Sequence, residues 1–175
     1  MNKKMWLILG VVLVILTIGI VVFVKSSNGF KEVKTDDFVI TYDSTWKKVK
    51  DKKGVTLKHK KTNSKISIQC KELDDNYLDV SLKDILPDII YGIEEQNKDY
   101  NLINTFDSPS TVYESYSYLY EDNMDQALVN IYKKDNKVII AYFSADSEVF
   151  DIVLDSVDEI FNSLEIKTGE EIELT

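Results

Sequence analysis

One histidine, His59, and one cysteine, Cys70, are all the imidazole and thiol chemistry this chain offers. A lone cysteine forms no internal disulfide, no Cys-x-x-Cys redox pair and no thiolate-based zinc site. A lone histidine with no activated-serine motif leaves a nucleophilic triad undefined. The six glycines are scattered, so no phosphate-cradling loop is present. Carboxylates are plentiful, yet the sequence pairs none of them as acid and base. In LDDNYLD, Asp74, Asp75, Asn76 and Asp79 are calcium-ligand types. Their spacing fits no EF-hand loop and lacks its glycine, so the stretch reads as a solvated turn. These residues predict a protein without catalysis, cofactor or metal.

Lysine is the more informative residue. All 21 basic residues are lysine, so no guanidinium fork exists for bidentate anion recognition, although lysine still binds phosphate as a point charge. The formal net charge is -9, which argues against a nucleic-acid partner. Eight lysines nevertheless crowd into Tyr42–Lys61, whereas Ile66–Thr175 holds 7 lysines and 25 acids. The run reads as a hairpin, with Asp51-Lys52-Lys53-Gly54 at its turn and Lys58 and Lys60 on the outward face of its second strand. Lys52, Lys53, Lys58 and Lys60 are therefore either solvated surface or a contact for anionic headgroups or wall polymer.

The third group is aromatic. Alternation places Tyr116, Tyr118 and Tyr120 on one face of a strand and Tyr113 on the other, with Tyr132 and Tyr142 extending the aromatic surface onto neighbouring strands. Such a row packs beneath a helix or lines a groove for a peptide, glycan or partner protein, and exposure distinguishes the two.

The elements that must carry these residues start with a membrane segment. Residues 5–24 hold no charge, and as a helix they would span about 30 Å, the thickness of the hydrocarbon core. Lys3 and Lys4 precede the run and Lys25 follows it. It is longer than the apolar region of a signal peptide, and Phe23-Val24-Lys25 is a poor cleavage site. No lipobox-type cysteine follows. The reading is an uncleaved signal-anchor, with residues 1–4 cytoplasmic, 25–35 a polar linker and the body outside the cytoplasm. Residues 168–175 form an acidic tail.

Within residues 36–167, FVITY, GVTLKHKK and KISIQCK alternate as strands, and KTNS turns the last two into a hairpin. His59 and Cys70 fall on their apolar faces. SLKDILPDIIYGIEEQN carries a helical stripe of Leu82, Ile85, Leu86, Ile89, Ile90 and Ile93, with Ser81 and Asp84 spaced as a capping box. Four strands follow (YNLINTF, STVYESYSYLYE, QALVNIYKK and KVIIAYFSA). A second amphipathic helix holds Phe150, Val153, Leu154, Val157, Ile160, Phe161 and Leu164. Hairpin-length turns imply a mainly antiparallel α+β domain.

This order, with Phe38, Ile40, Tyr42 and Trp46 at the front and VDEIFNSLEI at the close, resembles the PsbP-like family over Asp36–Lys167. The resemblance implies an α/β/α sandwich in an extracytoplasmic setting. The family's metal-binding and partner-contact residues find no match, and none are carried over. The expected function is a membrane-anchored, extracytoplasmic binding or scaffolding module whose partner is the membrane itself, an envelope protein, a peptide or an anionic polymer. The alternative is an envelope-associated hydrolytic or ligand-processing enzyme.

Overall fold

A computed structural model describes residues 29–107 and 110–167. The expected signal-anchor at 5–24 and the tail at 168–175 lie outside the described residues. Among those described, no helix is long and apolar enough to cross a membrane.

The domain is α+β and antiparallel in every strand pair. Its main sheet has seven strands: β3 (Trp46–Val49), β4 (Val55–His59), β5 (Lys65–Glu72), β9 (Lys137–Asp146), β8 (Asp125–Lys134), β7 (Glu114–Glu121) and β6 (Asn101–Asp107), in that order across the sheet. A small sheet sets β2 (Phe38–Tyr42) between β1 (Lys31–Lys34) and β10 (Glu165–Ile166). Two α-helices, α1 (Leu82–Gln96) and α2 (Ser147–Asn162), and a 3-10 turn at Asp75–Tyr77 complete the described fold. Two of these elements depart from the sequence reading: β1 occupies four residues assigned to the linker, and β10 returns the chain to β2, whereas β3 is the first arm of the hairpin read with its turn at residues 51–54.

Alternation builds two cores on one sheet. Leu57, Ile66, Ile68, Ile139, Ala141 and Phe143 point to one side, where Phe150, Val153, Val157, Ile160 and Phe161 of α2 and Phe38 and Ile40 of β2 meet them. Tyr118, Tyr120, Val129 and Ile131 point to the other side, beneath Leu82, Ile85 and Leu86 of α1. Burying each such side chain stabilises the fold by about 1.5–3 kcal/mol.

The start of α1 differs from a capping box. Ser81 is its N-cap, but the hydroxyl donates to Asp84 at 2.9 Å instead of accepting from the backbone. The Leu82 N–H donates to the Glu114 carboxylate of β7, which places a negative charge at the positive end of the helix.

Candidate functional site

The lysine hairpin stands at the β3 edge of the sheet. Trp46 anchors it: the indole is fully buried, lies edge-on to His59 at 5.1 Å, and donates to the Ser156 hydroxyl of α2 at 2.8 Å. Ser156 in turn donates to Asp43 at 2.9 Å. The two arms are joined by residues 50–54. Asp51 accepts from the Lys53 N–H at 2.9 Å and from the Thr56 hydroxyl, and these bonds hold its carboxyl below the usual range, helped weakly by Lys65. Gly54 is required by proximity, because a Cβ there would meet the Ile68 carbonyl oxygen at 2.1 Å.

Lys52 and Lys53 are exposed in this loop, Lys58 is exposed on β4, and Lys60 just beyond it donates to the Ser44 carbonyl. The register adds two residues that the sequence reading missed. Lys47 lies opposite Lys58, and Lys58 lies opposite Lys65. Opposite residues point to the same face, so three lysines form a row across β3, β4 and β5, roughly 5 Å from strand to strand. This is the face that α1 covers only farther along, over β7, β8 and β9. No carboxylate forms an ion pair with any of the three among the described residues. Gly29, the first described residue, packs against Ser44, with its Cβ position 3.4 Å from the Ser44 Cβ, and the Ser44 carbonyl accepts from Lys60.

The tyrosine row is not a groove. Tyr118 and Tyr120 are buried against α1, and Tyr116 is half-buried at the margin of the same core. Of the two readings, packing beneath a helix is the one the position of α1 shows, because its apolar stripe covers this surface. Tyr132 and Tyr142 do not extend one surface either. Tyr132 faces α2 with Tyr113, whereas Tyr142 lies on the α1 side. Burial raises the pKa of Tyr118, and more strongly that of Tyr120, which also senses the Glu94 charge. The Tyr120 hydroxyl is buried and has no hydrogen-bond partner among the described residues.

The imidazole and the thiol serve packing. His59 bonds Thr62 through Nδ1 at 2.8 Å, and burial lowers its pKa against the opposing pull of Asp43. The Ser156 hydroxyl is committed to Trp46 and Asp43, so it presents no bond to His59 that would activate it. Cys70 is half-buried beside the α2-side core, and burial pushes its thiol up to about 11, far from a reactive thiolate. Among the described residues, no three His, Cys, Asp or Glu side chains are placed to hold a metal.

The sheet, with α1 on one face and α2 and the small sheet on the other, has a PsbP-like fold. The chain is similar to the cyanobacterial PsbP (CyanoP) of Synechocystis sp. PCC 6803, at TM-score 0.63 and 14% identity over 80% of this chain and 94% of that one. It is also similar to LpqN of Mycobacterium tuberculosis, described as involved in cell envelope biogenesis, at TM-score 0.55 and 7% identity over 82% and 94% of the two chains. At these identities the likeness is one of fold. No family model and no curated protein matches the chain.

Proposed function

We propose that the chain is a membrane-tethered, extracytoplasmic binding module that holds its lysine edge against anionic headgroups. The observation that carries this reading is the row Lys47–Lys58–Lys65, which forms no ion pair among the described residues, at the sheet edge where Lys60 bonds Ser44 beside Gly29. Residues 25–28 separate Gly29 from the apolar run ending at Val24, and five residue steps reach at most about 17 Å. If residues 5–24 span the bilayer, Lys60, bonded to Ser44 beside Gly29, stands within reach of the surface. The envelope role described for LpqN accords with such a location. Each lysine near an anionic leaflet contributes about 1 kcal/mol, screened over roughly 10 Å at moderate salt. Register repulsion among three lysines is a cost to the fold that an anionic surface would relieve.

Two measurements test the reading separately. Protease added to intact cells should digest the domain, and digestion only after lysis would overturn the topology. A chain beginning at Lys25 should bind vesicles containing anionic lipid and not neutral ones, with binding weakened by salt and by Lys→Gln changes at Lys47, Lys58 and Lys65. Equal binding by this triple variant would remove the lysine row from the contact.

A further inference from the structure

The two edges of the seven-stranded sheet are defended differently. β3 carries Lys47 and Lys48, and lysine on an edge strand discourages pairing with another chain. β6 has no lysine and no proline, and Asn101–Phe106 carries no charge. All six of these residues are exposed, including Leu102, Ile103 and Phe106, each with 45–46% of its surface in solvent. A long, uncharged apolar edge of this kind offers backbone donors and acceptors to an incoming strand. The Thr105 N–H is met by the side-chain oxygen of its own neighbour Asn104, at 2.9 Å. The ladder to β7 slips between Leu102 and Asn104, leaving Ile103 as the extra residue of a bulge.

Charge decides what fits there. At the Asn101 end, a recess of about 540 Å³ is lined by Tyr91, Glu94, Glu95, Asn101 and Leu102 among others. Glu121 lies opposite Asn101 in the ladder, and Asp99 precedes the strand. Lys98 pairs with Glu95 at 4.0 Å, and Glu94, Asp99 and Glu121 have no ion pair among the described residues. A second copy pairing through its own β6 would bring the same acids to this edge. The complementary occupant is basic.

We propose that β6 accepts an extended segment of a partner protein as an eighth strand. Apolar side chains of that segment would lie beside Leu102, Ile103 and Phe106, and a lysine or arginine would reach Glu94 in the recess at the Asn101 end. Backbone pairing supplies the attachment, the apolar positions set the register, and the basic residue sets the direction.

The test uses the full chain in detergent micelles and a fluorescein-labelled nine-residue peptide, with two lysines at either end of an alternating valine–threonine run. Saturable binding is expected for one of the two placements, weakened about tenfold when the lysines become glutamates. Methylating alternate backbone amides of the peptide should abolish it. Ile103→Lys, at an exposed position, should weaken binding about tenfold without changing thermal unfolding. Three outcomes would overturn the proposal. These are no saturable binding at millimolar peptide, equal binding by the methylated peptide, or a dimer of the chain that Ile103→Lys abolishes, which assigns the edge to a second copy.

Discussion

Tyr120 holds the one buried side-chain polar atom without a partner among the described residues, and only 3% of the residue is exposed. An unmet buried hydroxyl costs about 1–3 kcal/mol. Tyr120→Phe removes that cost and keeps the ring that packs beneath α1, so the variant should be more stable by about 1 kcal/mol. The thermal midpoint should rise by roughly 3–4 °C, and a lower midpoint would mean that the hydroxyl is satisfied in solution. His59 makes a prediction of the opposite kind. Its folded pKa lies below the ordinary value of 6.5 because burial outweighs Asp43, with Lys61 adding to the depression and Thr62 bonded to the ring. The unfolded chain therefore takes up the proton first. The contribution of neutral His59 is complete above pH 6.5 and declines as pH falls from there through the folded value. Asp43, whose hydrogen bonds overcome burial to lower its pKa, adds a loss at more acid pH. Denaturant midpoints measured from pH 7.5 to 5 should fall for the native chain and fall less for His59→Gln.

At the scale of elements, Gly54 shows how closely β4 lies over β5. Gly54→Ala places a methyl group on the Ile68 backbone, which has no rotamer to yield, so a loss of about 1–3 kcal/mol is expected in chemical denaturation. An unchanged midpoint would show that the loop swings clear. Most strands and both helices were legible in the sequence because their apolar periods are long and regular: β2 is FVITY as read, and the stripes on α1 and α2 face the two cores. β1, in KEVK, was not legible. It buries only Val33 and is a strand because β2 offers it an edge. β3 was legible only from its turn, since WKKV inside a lysine run shows little alternation of its own. The candidate site was half legible. Lys58 was assigned to an outward face, but Lys47 and Lys65 join it only through cross-strand register, which depends on where each hairpin turns. The tyrosine row read as packed beneath a helix or as a groove, and the seating of α1 decided it.

For the whole molecule, the lysine row ties stability to the proposed contact with an anionic surface. Replacing the middle member, Lys58→Gln, removes like-charge repulsion toward both Lys47 and Lys65. The variant should unfold a few tenths of a kcal/mol later than the native chain, with the gain shrinking as salt is added. The same change should weaken attachment to anionic vesicles. Loss of both stability and attachment would contradict a row kept for its charge.

The small sheet has a consequence of another sort. Chain entering through β1 is held by four register pairs to β2, and the closing strand β10 is held to the same β2 by two. Both ends of the domain are thus fastened to one five-residue strand, outside the seven-stranded sheet. A pull on the chain entering β1 would load β1 against β2 before it reached β3–β9. The domain would yield first by peeling at this clasp, and the surfaces at the two sheet edges would keep their shape while it did so.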